Sequence, residues 1–178
     1  MQRAGCKSIA FGIESGNQEV LDKVGKKIRL EEVVKAIVAC NKLGIVSKGY
    51  YIIGLPWETP HTAKETIKFA KKHRTTQLQF TLPIAFPGTE LWNIGKAKGL
   101  PVEEHVESFC WDETRPPYSF SDYLTQQQVE HYILAARNIG RPGILERILK
   151  IIFTKDLKDY PALLKKILAK LRKRLIKK

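Results

Sequence analysis

The run FGIESGN at residues 11–17 closes a short apolar stretch with the carboxylate of Glu14 and the hydroxyl of Ser15, set between Gly12 and Gly16. Two runs of similar character follow: IIGLPWE at 52–58, with Gly54 and Glu58, and IAFPGTEL at 84–91, with Phe86. Polar side chains and turn residues gathered where apolar runs stop suit hydrogen bonding to a small ligand. Metal and thiolate chemistry are a poorer match. Cys6, Cys40 and Cys110 are separated by 34 and 70 positions, too far apart to share one ligand loop, and they form no disulfide framework. His61, His73, His105 and His131 have no metal-like spacing with cysteines or acids, so no metal-ligating residue is identified.

Three repeats of a strand followed by a helix would position these runs. KSIAFGI at 7–13 reads as a strand, and LEEVVKAIVACNKLG has Val33, Val34, Ile37, Val38 and Leu43 at helical spacing before Gly44. A second strand, IVSKGYYIIGL at 45–55, precedes a helix with Thr59 as N-cap, Pro60 in its first turn and an apolar stripe of Ala63, Ile67 and Ala70. The third strand, QLQFTLPIAF at 77–86, turns through Pro87-Gly88 into a helix closed by Gly99. Alternating strands and helices predict an α/β fold with a parallel sheet, open or curved toward a barrel. Ligands of such sheets sit beyond the carboxyl ends of the strands, where Glu14 and Ser15 fall. Three strands are too few to close a barrel, so the sheet edges call for a cover and the chain reads as part of a larger architecture.

In order and spacing, FGIESGN, GYYIIGLPWET and LPIAFPGTELW resemble the second half of the radical S-adenosylmethionine (SAM) core barrel, most closely its cobalamin-associated branch. The resemblance implies three βα units of a partial (β/α) barrel, the fourth to sixth strands of six, followed by a helical C-terminal appendage. It places Glu14 and Ser15 on the ribose-binding strand, where they would bond sugar hydroxyls or the methionine amino group. Gly12 and Gly16 would leave room for the ligand. Ile52, Gly54 and Glu58 fall on the GxIxGxxE segment that packs on adenine, with Gly54 and Glu58 four positions apart instead of three and Trp57 where glycine often stands. Phe86 would border the adenine. Each residue also has a structural reading: Glu14 as a carboxylate paired with an arginine, Glu58 as an acid favoured by a helix macrodipole, the glycines as turns, Cys40 as a packed thiol. Of Tyr50 and Tyr51, alternation puts one in the core and the other toward a neighbouring helix.

The resemblance brings cofactors with it. Radical SAM chemistry uses a [4Fe–4S] cluster held by a CxxxCxxC loop, which this sequence does not contain, and cobalamin in the full-length branch. SAM is the ligand expected of this chain, and the cluster would come from an N-terminal half on another segment or chain. Two explanations stand side by side: a truncated or split gene product that needs that partner, and a non-catalytic remnant acting as a binding protein.

The sequence divides into 1–99, the partial barrel; 100–124, an aperiodic connecting segment with Phe109, Trp111, Tyr118, Phe120 and Tyr123 that reads either as an aromatic-anchored linker or as a stretch folding back over a barrel mouth; and 125–178, a basic helical region beginning at Thr125. The net charge of +13 is concentrated late: residues 141–178 hold 13 Lys and Arg against 3 Asp and Glu. In residues 162–178 Leu163, Leu164, Ile167, Leu168, Leu171 and Leu175 line one face of a basic amphipathic helix, suited to an anionic membrane surface or a partner protein. No aromatic-studded basic groove accompanies it, which disfavours nucleic acid. Charges interrupt every apolar run, and the N-terminus has no secretion-signal layout, so the expected location is cytoplasmic, with peripheral contact to the inner membrane surface through the last helix.

Overall fold

The computed structural model describes residues 1–103, 118–137 and 139. Strands β1 (Ser8–Glu14), β2 (Val46–Ile52) and β3 (Gln77–Thr81) form a three-stranded sheet in that order. Both strand pairs are parallel, so all three carboxyl ends lie along one edge. Helices α1 (Gln18–Lys23) and α2 (Leu30–Lys42) connect β1 to β2, and α3 (Pro60–Lys72) connects β2 to β3. Helix α4 (Glu90–Ala97) follows β3, and α5 (Gln126–Arg137) comes after the connecting segment.

Local chemistry sets the helix starts. Thr59 Oγ1 accepts from Thr62 N at 3.2 Å while Thr59 N donates to Thr62 Oγ1 at 2.9 Å, a reciprocal cap ahead of Pro60. Thr125 and Gln128 make the same exchange at the head of α5. Asn17 Oδ1 accepts from Val20 N at 3.0 Å and starts α1, a short helix that the hydrophobic spacing does not signal. The third strand ends at Thr81, five residues before the end predicted from its apolar run, because Pro83 has no amide to continue the ladder.

One face of the sheet carries the core. Phe11, Ile13, Tyr51, Ile53, Leu78 and Phe80 pack against Val33 and Ile37 of α2, Ala63, Ile67 and Ala70 of α3, and Val129, Ile133 and Ala136 of α5. Tyr51 and Phe80 stack with ring centroids 4.9 Å apart. By alternation the other face carries Ala10, Gly12, Lys48, Tyr50, Ile52, Gln79 and Thr81, none of which joins that core. Tyr50 thus lies on the helix-free face and not, as its spacing suggested, against a helix. Parallel sheets are ordinarily covered on both sides, so a helix-free face among the described residues is a candidate binding surface.

The core does not stop at residue 99. Phe120, Leu124, Val129 and Ile133 are buried, the last three in one cluster with the sheet. A smaller cluster of Ala85, Val102 and Phe120 joins α4 to the segment after it. Trp111 and the basic helix expected over 162–178 lie outside the described residues. Among the described residues, no helix is long and apolar enough to cross a membrane.

Candidate functional site at the carboxyl edge of the sheet

β1 has one residue more than β2 can match. Gly12 lies opposite Tyr50 and Glu14 opposite Tyr51, leaving Ile13 as a bulge. Glu14 then takes φ +66°, the one positive φ of a non-glycine residue among those described. Such a conformation costs about 1–3 kcal/mol and persists only where the surroundings hold it. Its carboxylate lies over Gly12: a Cβ at position 12 would stand 2.7 Å from Glu14 Oε1 and 3.2 Å from Lys26 Nζ. Since Gly12 is exposed on the helix-free face, the carboxylate lies at the carboxyl end of that face. Lys26 Nζ is 3.0 Å from Glu14 Oε1 and donates to the Gly12 carbonyl at 3.1 Å. The arginine partner considered for Glu14 is therefore replaced by a nearby lysine.

The bulge also decides where the next residues go. Ser15 turns inward, fully buried, with its hydroxyl 3.0 Å from Thr66 Oγ1 and accepting from Asn17 N at 3.1 Å. Gly16 N donates to Thr66 Oγ1 at 3.0 Å, and a Cβ at Gly16 would come within 2.8 Å of the Thr66 Cα and 2.5 Å of the Phe69 Cβ. The room beside Gly16 is filled by α3 and not left for a ligand. Ser15 and Gly16, expected beside Glu14 in the site, instead fasten its strand end to α3.

The end of β2 is held from two sides. Gly54, at φ +101°, donates its amide to Glu58 Oε2 at 2.5 Å, and its carbonyl accepts from Phe120 N at 3.1 Å. The Val129 side chain stands 3.4 Å from where a Gly54 Cβ would sit. Pro56 O accepts from Asp122 N at 3.3 Å, and Glu58 O accepts from the Ser121 hydroxyl at 2.5 Å. Residues 118–124 thus strap down the loop after β2. Lys98 fixes the strap through the Phe120 carbonyl and an ion pair with Asp122 at 2.6 Å.

Glu58 is fully buried. Desolvation pushes its pKa up to about 7, with the Gly54 and Leu55 amides pulling it down. Its Oε1 has no hydrogen-bond partner among the described residues. It neither caps α3, which Thr59 does, nor reaches the open face; it shapes the loop. Ile52, paired with Thr81, is half-buried at the end of the open face. Phe86 is 44% exposed, and its carbonyl accepts from the Thr89 amide and hydroxyl at 3.1 and 2.6 Å. The structure brings Gly12, Glu14 and Ile52 to one face, sets Phe86 in the loop following β3, and places Ser15, Gly16, Gly54 and Glu58 behind them as support.

The model of the radical SAM superfamily matches residues 1–70, the stretch that holds β1, its bulge and the Gly54–Glu58 loop. An uncharacterized methyltransferase, PH0819, of Pyrococcus horikoshii is 39% identical over 136 residues, 76% of this chain and 29% of the relative. The chain belongs to the radical SAM superfamily. A second relative of this radical SAM chain, the bacteriochlorophyllide d C-12(1)-methyltransferase of Chlorobaculum tepidum, is 25% identical over 150 residues, 84% of the chain and 28% of the relative. In fold this chain is similar to the radical SAM methyltransferase TsrM of Kitasatospora setae, a structure with cobalamin and a [4Fe–4S] cluster bound. That likeness has a TM-score of 0.53 at 19% identity over 75% of this chain and 32% of the other. The chain spans less than a third of the length of each of these three proteins.

Two supports of this candidate site leave little trace in the sequence. Lys26 follows Gly25 in a loop without periodicity, where nothing links it to Glu14 twelve positions earlier. Thr66 left a faint signal, a hydroxyl within the stripe of Ala63, Ile67 and Ala70, and a polar residue on a buried helix face needs a partner.

Proposed function

We propose that the helix-free face and its carboxyl edge form one wall of the SAM pocket of a radical SAM enzyme, with the chain contributing to a methyltransferase of the cobalamin-associated branch. The observation that carries this reading is Glu14, held in a left-handed conformation at the end of β1 with its carboxylate over Gly12. A strained acidic residue at the carboxyl end of a parallel strand is where α/β folds place ligand contacts. Glu14 accepts hydrogen bonds from the adenosyl ribose or the methionine amine, Gly12 lets the ligand lie close to the strand, Ile52 supplies an apolar surface for adenine, and Phe86 borders it. Ser15, Gly16, Gly54 and Glu58 act one layer back, fixing the backbone that presents those groups.

Among the described residues no group of three His, Cys, Asp or Glu side chains is placed to hold a metal ion, so these residues do not fit a [4Fe–4S] cluster. We assign no step to it. In this reading the cluster ligands belong to a segment outside these 178 residues, acting as the partner of this wall.

The test is binding of S-adenosylhomocysteine, which needs no cluster, measured by isothermal titration on the full chain. Glu14→Ala is expected to weaken binding roughly tenfold or more, since it deletes a charge-assisted hydrogen bond. Unchanged affinity removes Glu14 from the site.

A further inference from the structure

We propose that Lys26 is a built-in competitor for the ligand at Glu14: its ammonium occupies the hydrogen-bond acceptors that a ligand's donors would use, and it swings away when the site fills. This deepens the reading of the open face as an adenosyl site and rests on it.

Three observations converge. The Lys26 ammonium contacts two acceptors together, Glu14 Oε1 at 3.0 Å and the Gly12 carbonyl at 3.1 Å. Both acceptors belong to the strand end that meets the open face, and a side chain at Gly12 would collide with the Glu14 carboxylate and crowd the Lys26 ammonium. The pair therefore lies flat over the place where a ligand would approach.

The backbone of Lys26 is separately anchored, its amide donating to Leu21 O at 3.0 Å after the turn at Gly25. Rotation about the long side-chain stem can then withdraw the ammonium without disturbing the loop. The Lys26 side chain is 37% exposed and that of Glu14 17%, so water takes over the hydrogen bonds of the ammonium once it leaves, and an ion pair reached by solvent from the lysine side is modest in strength. A ligand with adjacent hydroxyl or ammonium donors replaces both of its contacts, whereas a ligand without them cannot displace it. Lys26 thereby selects for such donors, at the expense of affinity.

The proposal is tested by equilibrium dialysis of the full chain against adenosine and against S-adenosylhomocysteine. Wild type is compared with Lys26→Met, Glu14→Ala and Lys27→Met, the last a control for lost charge at an exposed neighbour. Lys26→Met is expected to bind both probes roughly two- to fivefold more tightly, the range set by a weak ion pair, with Lys27→Met unchanged. Adenosine is neutral, so a gain with that probe is not relief of charge repulsion. Equal or weaker binding by Lys26→Met overturns the proposal, and weaker binding makes Lys26 a direct ligand contact. Should Lys26→Met fail to fold, acetylation of the Lys26 amine in wild-type protein gives the answer: it is expected to quicken as adenosine saturates, and constant or slower modification overturns the proposal. If wild type binds neither probe, or Glu14→Ala binds as well as wild type, the adenosyl-site reading fails too. Loss of binding in Glu14→Ala with no gain in Lys26→Met removes only the competitor.

Discussion

Glu58 Oε2 lies 2.5 Å from the amide nitrogen of Gly54, and this bond closes the turn between the end of β2 and the start of α3. The carboxyl group is buried, so its proton is held more tightly in the folded chain than in the unfolded one: burial raises the pKa from 4.5 to about 7. With a raised folded pKa, the stabilising contribution is complete below about pH 4.5 and is lost as pH rises toward 7, levelling off above it. The loss is at most about 3 kcal/mol. Urea denaturation between pH 4 and 8 should show this fall in wild type and a flatter profile in Glu58→Gln, whose amide does not titrate. Glu58→Ala, which orphans the Gly54 amide and leaves a cavity, should lose about 2–4 kcal/mol near pH 4 and markedly less above pH 7, where wild type has already given up the contribution of the protonated carboxyl.

The hydroxyls of Ser15 and Thr66, 3.0 Å apart and both fully buried, couple β1 to α3. Thr66→Val keeps the shape, orphans the Gly16 amide and leaves the Ser15 hydroxyl with only its bond from Asn17 N, an expected loss of about 1–3 kcal/mol. Ser15→Ala combined with Thr66→Val should cost less than the sum of the single changes, with a coupling of about 0.5–1.5 kcal/mol in a double-mutant denaturation cycle. Strict additivity would mean that the hydroxyls do not bond.

Much of the scaffold was legible in the sequence because its signals are local. Thr59-Pro60 and Thr125 begin helices at the positions their chemistry indicates, and the strands are β-branched and aromatic runs separated by such caps. Cys40 is buried, as the usual packing of a free thiol implied. The arrangement of side chains at the candidate site was not legible. A bulge depends on how β1 pairs with β2, so nothing local to FGIESGN says that Glu14 lies over the open face while Ser15 points inward. The partner of Glu14 is a lysine brought back by the turn at Gly25, and the cover over Gly54 comes from Phe120 and Val129, some 65 and 75 residues along the chain. Long-range contacts of this kind leave no spacing to read.

Tyr51 carries a buried hydroxyl with no hydrogen-bond partner among the described residues, and burial raises its pKa well above the ordinary phenol value. An unpaired polar group in a core is a cost. Tyr51→Phe keeps the stack on Phe80 and is expected to leave stability equal or raise it by up to about 1 kcal/mol in thermal and urea unfolding. A clear loss would reveal a partner for the hydroxyl.

Lys98 joins α4 to the strap through the Phe120 carbonyl and Asp122. Lys98→Ala should change global stability by less than about 1 kcal/mol, because Asp122 is largely exposed. Locally the effect is larger: the Phe120 amide, bonded to Gly54, should exchange its hydrogen roughly tenfold faster, with the β2 amides unaffected. Uniform acceleration across β2 would show that the strap and the sheet open together.

The most direct measurement is photolabelling of the full chain with 8-azidoadenosine, followed by peptide mapping with and without excess S-adenosylhomocysteine. The expected result is competed label on the peptides that carry Gly12, Ile52 or Phe86, lost in Glu14→Ala. Label confined to the helical face around Val33, Ile67 and Ile133, or label indifferent to competitor and to Glu14→Ala, would contradict a nucleoside wall at the carboxyl edge of this sheet.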